Sequence, residues 1–140
     1  MTGKLADELA RLYRELDAEI ARLGWGCRAC GECCCFQEHG HELLCSEVEA
    51  EYLVTGAQLP EVITDEVCPF LDDRRCTRRQ RRTLACRTYF CDAAAEEKMT
   101  ALTELWTDRL KRLHEHFDIG WKYARLSEHL NRRKTVREKG

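Results

Sequence analysis

Four thiols fall within eight residues in the segment Cys27-Arg28-Ala29-Cys30-Gly31-Glu32-Cys33-Cys34. Cysteines at Cys-x-x-Cys spacing close around a metal ion far more easily than they pair with one another. The segment shows no helical or strand periodicity, so its conformation should be set by the ligands that it binds. We therefore interpret it as the first of two metal-binding limbs, and the rest of the fold is predicted around it.

A second group of four cysteines follows in the sequence, beside a proline and several arginines. Two groups of four thiolates imply one or two enclosed metal centres. Cys35 and Cys45 are interpreted as thiols packed in the core, because free cysteine is among the most buried residue types. The predicted ligands are Cys27, Cys30, Cys33, Cys34, Cys68, Cys76, Cys86 and Cys91.

The identity of the metal is not decided by cysteine spacing alone. The pattern Cys27-x-x-Cys30-x-x-Cys33 occurs both in zinc knuckles and at the start of ferredoxin cluster motifs. Cys68-Pro69 favours iron, because in ferredoxins a remote cysteine followed by proline completes a cluster begun elsewhere in the chain. Eight thiols also suit two tetrahedral Zn²⁺ sites. An iron-sulfur cluster of the 4Fe-4S type is preferred, and Zn²⁺ is the alternative.

Length and composition place these limbs in a single small domain. The chain has 140 residues and a formal net charge of -2, so overall charge gives no attraction to nucleic acid or membranes. Charged side chains interrupt every apolar stretch near the N-terminus, which argues against a signal peptide and against a membrane span. We expect a cytoplasmic protein, because a reducing compartment keeps its ten cysteines available as thiolates.

Hydrophobic periodicity predicts helices before and between the limbs. A helix over residues 4–23 would place six apolar side chains on one face, namely the four leucines Leu5, Leu9, Leu12 and Leu16, followed by Ile20 and Leu23. Ser46-Glu47-Val48-Glu49 has the pattern of a capping box, in which the serine and the second glutamate each bind a backbone amide. A short helix should run from there to about Thr55 and be closed by Gly56.

The region from Pro60 to Cys91 is predicted to be irregular, and two further helices should follow it. The first begins at Asp92 and carries an apolar stripe to Phe117. Gly120 is expected to break or bend the chain. The last helix is predicted from about residue 121 to residue 133.

The fold class predicted from these elements is mostly α. It is a small metal-stabilised domain in which an N-terminal helix and a C-terminal helical hairpin flank irregular cysteine-rich limbs. The single domain spans residues 1–140, with a metal-binding core over 24–92 and a C-terminal helical region over 93–133. The cysteine-rich region between the helices has few large side chains to bury, so bound metal is expected to stabilise it. A structural Zn²⁺ site contributes roughly 10–16 kcal/mol to folding.

The two limbs together resemble the YkgJ-type cysteine-cluster family, whose members are described as zinc- or iron-chelating domains. The resemblance implies metal chelation, and a similar domain in flagellin lysine methylases implies an iron-sulfur cluster in methyl transfer. The family usually has tyrosine where this chain has Arg79 and proline where it has Thr83. The matching motifs, within residues 24–92, are Cys27-x-x-Cys30-x-x-Cys33-Cys34, Cys68-Pro69-Phe70-Leu71, Cys76 and Arg82-Thr83-Leu84-Ala85-Cys86-Arg87.

Positive charge concentrates beside the second limb, where a thiolate-bound metal centre would carry negative charge. Four thiolates around Zn²⁺ or an oxidised cluster give a net charge of about -2, which nearby guanidinium groups stabilise. We therefore predict that Arg82 and Arg87 support the cofactor. A protein or nucleic-acid contact surface is the alternative, although the sequence has no recognition helix with interleaved aromatic residues.

Three functions are open from the sequence. The first is chelation of one or two metal centres through thiolates. The second is a metal-dependent redox or group-transfer enzyme with one open coordination position, since no catalytic arrangement exists beyond the cysteines. The third is a helical adaptor with a structural metal, whose N-terminal leucines bind a protein partner or a second copy of the chain.

Overall fold

A computed structural model describes residues 2–23, 43–59, 63, 68–72, 75–88 and 96–139. Helices account for 69% of the interpretable residues, which confirms the mostly α prediction. The helices are α1 (Gly3–Arg22), α2 (Glu47–Val54), α3 (Leu84–Thr88), α4 (Glu96–His116) and α5 (Leu126–Lys139), with a 3-10 turn at Arg79–Arg81. The strands are β1 (Leu44–Ser46), β2 (Leu71–Asp72), β3 (Arg75–Cys76) and β4 (Tyr123–Arg125).

Helix α1 packs its leucine face against α4 inside the chain. The Thr2 hydroxyl caps α1 by accepting the Leu5 amide at 3.3 Å. The four leucines that a partner was predicted to cover are buried in one apolar cluster with Trp106 of α4. An adaptor function therefore draws no support from an exposed leucine face on this helix.

The capping box at the start of α2 is present as predicted. The Ser46 hydroxyl accepts the Glu49 amide at 3.2 Å, and the Glu49 carboxylate accepts the Ser46 amide at 3.1 Å. Gly56 follows the helix with a φ of 80°, a left-handed conformation that glycine adopts without steric cost. Local sequence signals were sufficient here because each contact joins residues within a few positions of one another.

The prediction for the C-terminal region was wrong in two details. Residues 123–125 form a strand rather than the first turn of a helix, because they pair with β1 in an antiparallel ladder with Cys45 opposite Ala124. Helix α5 therefore begins at Leu126 and extends to Lys139. The chain leaves α4 through Asp118, whose φ of 55° is left-handed, so the turn precedes the predicted break at Gly120.

The prediction of an irregular second limb was also partly wrong. Strands β2 and β3 pair in a short antiparallel ladder, with Leu71 opposite Cys76, and α3 supplies a full helical turn around Cys86. Phe70 lies in an apolar cluster with Leu53 of α2 and Leu130 of α5. Hydrophobic contacts thus stabilise part of this limb, so its stability does not depend on metal alone.

Two arginines of the second limb bind the carbonyl end of α2. Arg78 donates from Nε to the Leu53 carbonyl at 2.8 Å, and Arg81 donates from Nη1 to the Tyr52 carbonyl at 3.0 Å. The last carbonyls of a helix have no partner within it, so these guanidinium groups cap α2. This is a structural use of the positive charge that the sequence analysis assigned to the metal or to a contact surface.

None of the helices in the described ranges has both the length and the apolar composition that crossing a membrane would need.

Candidate metal centre

Three cysteines from separate parts of the chain lie in one buried apolar cluster. Cys45 belongs to β1, Cys68 precedes β2, and Cys86 lies in α3, and their exposed fractions are 0%, 5% and 7%. All three carry thiols rather than disulfides. Two of them, Cys68 and Cys86, are predicted ligands 18 positions apart, and the fold brings both into the same core.

The side chains of the other predicted ligands are not among those that the structure describes. Only the backbone of Cys76 is described, in β3. Among the side chains that the structure does describe, no three His, Cys, Asp or Glu residues are arranged to hold a metal ion. The predicted ligands outside the described residues are Cys27, Cys30, Cys33, Cys34 and Cys91.

The Thr83 hydroxyl forms two hydrogen bonds with Cys86, one as acceptor and one as donor. Its oxygen accepts the Cys86 backbone amide at 3.4 Å, and its O–H donates to the Cys86 Sγ at 3.3 Å. Thr83 is fully buried. The threonine therefore combines the N-terminal capping of α3 with a hydrogen bond to the sulfur of a predicted ligand.

Arg82 is a buried guanidinium with an unused donor. Its Nε donates to the Arg79 carbonyl at 3.0 Å, whereas Nη1 has no acceptor among the described atoms. Only 8% of the residue is exposed. A buried cation with an unsatisfied N–H is costly unless an anion or acceptor is near, and a thiolate-ligated metal would be one.

Each of the three guanidinium nitrogens of Arg87 binds a protein oxygen. It binds Asp17 of α1 at 2.6 Å and donates to the carbonyls of Arg82 and Gln80, each at 2.9 Å. Its guanidinium also lies 4.2 Å from the centre of the Tyr13 ring, a favourable cation-π distance. Arg87 thus ties the helix that carries Cys86 to α1, and its predicted role beside the cofactor stays a prediction.

Glu49 is a buried carboxylate that joins four elements. Its Oε2 accepts Tyr13 Oη at 2.8 Å and the Leu84 amide at 2.6 Å, while Oε1 accepts the Ser46 amide. Burial raises the pKa of Glu49, and these hydrogen bonds oppose the rise. The capping-box pattern predicted only the bond to Ser46. The sequence carries no signal for the other two, because they join positions 35 and 36 residues apart.

Glu49 also affects the cysteine cluster electrostatically. Burial raises the pKa of the Cys45 thiol well above its ordinary value, and the charges of Glu49, Cys86 and Cys68 raise it further. Cys45 is therefore neutral near pH 7 in the metal-free protein. Its backbone carbonyl accepts a hydrogen bond from His129 Nε2 at 2.8 Å, which fixes β1 to α5.

Two further polar residues lie on the α4 side of Glu49, and the sequence analysis did not assign them to the site. His114 is 1% exposed, binds the Leu110 carbonyl through Nδ1 at 2.9 Å and stacks edge-on against Trp121. Burial and the charges of Glu49 and Cys45 raise the pKa of Tyr123 to about 12. His114 and Tyr123 therefore make the core polar on this side of Glu49.

The raised pKa of Glu49 predicts a pH dependence of stability. A carboxyl whose pKa is higher in the folded state stabilises the fold fully below its unfolded pKa, about 4.3, and loses that contribution as pH rises through the folded value. The free energy of unfolding of the wild type, minus that of Glu49→Gln, should therefore fall as the pH rises above about 4.3. Urea unfolding of both proteins across this range measures it. Parallel curves would contradict the shift.

A separate cavity of about 570 Å³ opens between the start of α1 and α2. Its lining includes none of the cysteines or arginines predicted for the metal site, so it contributes nothing to that chemistry. The lining residues are Thr2, Leu5, Glu47, Val48, Glu51 and Ile119.

Comparison with known proteins adds no relative from which a family or a ligand could be inferred. The family resemblance therefore remains a prediction from the cysteine and arginine motifs. The chain matches no protein-family model, no curated protein and no solved structure.

Proposed function

We propose that this protein chelates one or two metal centres through thiolates from its two cysteine limbs. The proposed cofactor is an iron-sulfur cluster of the 4Fe-4S type, with Zn²⁺ as the alternative. This function is the one that the resemblance to the YkgJ-type family implies. The proposed ligands are Cys27, Cys30, Cys33, Cys34, Cys68, Cys76, Cys86 and Cys91.

The observation that carries the proposal is the convergence of Cys68 and Cys86. They approach from different elements, and both are buried in one cluster. Disulfide exchange and surface reactivity need accessible sulfur, whereas a structural or electron-storing metal centre needs enclosed sulfur. The burial of both thiols therefore favours an enclosed centre over an exposed redox pair.

The donor set of the second limb fits a negatively charged cofactor. Arg82, four positions before Cys86, places in the interior a guanidinium nitrogen that has no acceptor among the residues that the structure describes. The Thr83 hydroxyl already donates to sulfur. Thiolate-ligated metal carries negative charge that such donors stabilise, and outer hydrogen bonds of this kind accompany most metal ligands. When bound, the metal would supply a cross-link between the limbs and, if it is iron, a site that stores an electron.

The proposed metal stabilises the fold together with the apolar core. Binding links residues 27–34 to the second limb, and the free energy of binding adds to the stability of the native state. The domain core would then be the cysteine region over 24–92, flanked by α1, α4 and α5.

Anaerobic purification followed by metal analysis and absorption spectroscopy tests this function. We expect stoichiometric iron and sulfide with broad absorption near roughly 400 nm, which is characteristic of sulfur-to-iron charge transfer. A colourless protein with stoichiometric zinc would support chelation and overturn the preference for iron. Protein that binds neither metal, even after reconstitution with iron and sulfide or with Zn²⁺ under reducing conditions, would refute the proposal.

A further inference from the structure

The Thr83 hydroxyl makes a contact that capping a helix does not require. An N-cap threonine needs only to accept a backbone amide, which Thr83 does with the amide of Cys86. The same hydroxyl has its proton left to donate, and it donates to the Cys86 Sγ at 3.3 Å. Both residues are buried, so water cannot easily replace this donor.

The geometry fixes the direction of the hydrogen bond once Cys86 is a thiolate. A thiolate can only accept, and the Thr83 oxygen is already an acceptor for the Cys86 amide. The hydroxyl proton must therefore point at sulfur. The four-residue segment from Thr83 to Cys86 is held in place by α3, because the Arg87 amide donates to the Thr83 carbonyl at 3.1 Å.

We propose that Thr83 is a positioning residue that tunes the metal-bound Cys86 thiolate through this hydrogen bond. The inference rests on the proposed function. The bond withdraws electron density from sulfur and offsets part of the negative charge of a buried centre. Thr83 thus orients the ligand, makes the buried thiolate less costly and lowers the energy of the sulfur electrons that the metal receives. The family pattern that the sequence resembles has proline here, which has no hydroxyl, so the contact belongs to this chain.

Removal of the hydroxyl has two measurable consequences. Loss of an outer hydrogen bond to a ligand typically lowers metal affinity about 10-fold to 100-fold, and we expect about 10-fold for Thr83→Val. The sulfur-to-metal charge-transfer band should also move to longer wavelength, because the sulfur electrons rise in energy when the donor is lost. The band shift reports the bond directly, since packing changes that leave sulfur untouched do not alter it systematically.

The test uses the full-length metal-loaded protein and three variants. Thr83→Val removes the hydroxyl at constant size, and Thr83→Ser keeps it. Thr88→Val is the matched control, because Thr88 is buried in the same helix and its hydroxyl bonds the Leu84 carbonyl at 3.2 Å rather than sulfur. Affinity is measured as the chelator concentration that removes half of the metal. Absorption is recorded directly for iron, or after replacement by Co²⁺ if the metal is zinc.

We expect weaker binding and a longer-wavelength band in Thr83→Val, with wild-type behaviour in Thr83→Ser and Thr88→Val. Equal bands in Thr83→Val and the wild type, or the same change in Thr88→Val, would overturn the inference while leaving chelation intact. A wild-type protein that holds no metal would overturn the proposed function instead. If Thr83→Val does not fold, Thr83→Ala gives the same comparison, because alanine also lacks the hydroxyl and is smaller than the buried threonine.

Discussion

Cys68→Ser is expected to lower the metal content of the purified protein severalfold, whereas Cys45→Ser should leave it unchanged. A serine hydroxyl is a poor ligand for zinc or iron-sulfur centres, which select thiolate. Loss of one ligand also removes part of a binding free energy of roughly 10–16 kcal/mol, so the cysteine limbs should become sensitive to protease. Metal analysis and limited proteolysis after anaerobic purification provide the two measurements.

Cys45→Ser is a close control because the two thiols share their surroundings. Cys45 and Cys68 are buried in the same apolar cluster, and each substitution places a hydroxyl in that core. A loss of metal caused by disturbed packing would therefore appear in both variants. Equal metal loss in both, or full metal content in Cys68→Ser, would remove Cys68 from the ligand set.

Glu49→Ala should lower the free energy of unfolding by about 3–4 kcal/mol. The substitution leaves the Tyr13 hydroxyl and the amides of Leu84 and Ser46 without their acceptor, and each unsatisfied buried donor costs about 1–3 kcal/mol. Removal of a desolvated carboxylate offsets part of this sum. Denaturant unfolding of metal-free protein under reducing conditions measures the difference.

Glu47→Ala provides the reference on the same helix. Glu47 is exposed in the first turn of α2, where its loss costs only the weak interaction with the helix end, within about 1 kcal/mol. Similar effects of the two substitutions would show that the Glu49 network adds nothing beyond helix capping. The midpoint of Glu49→Ala should instead shift well beyond that of Glu47→Ala at an unchanged slope.

The sequence predicted those features whose physical causes are local. The leucine spacing of α1 and the capping box of α2 each involve residues three or four positions apart, so periodicity and side-chain chemistry were sufficient. Strand β4 could not be predicted in this way, because its three residues are held by pairing with β1 nearly 80 positions earlier. Tertiary pairing overrode a weak helical preference there.

The candidate site shows the same division between local and distant causes. The sequence motifs predicted Cys68 and Cys86 as ligands of a metal centre, and the fold buries both in one apolar cluster. The roles of the arginines were less predictable, because a guanidinium finds whichever carbonyl or carboxylate the fold brings near it. Arg78 and Arg81 cap α2, Arg87 binds α1, and the buried Nη1 of Arg82 has no acceptor among the described atoms.

The pairing of β1 with β4 has a consequence for how the protein is made. Translation proceeds from the N-terminus, so both cysteine limbs are synthesised before residues 123–125 and helix α5. Leu126 and Leu130 of α5 belong to the apolar cluster that contains Cys68 and Cys86. In a growing chain Cys68 and Cys86 therefore lack these leucine contacts until α5 has been synthesised and has folded against them, so this part of the core closes only after α5 is made.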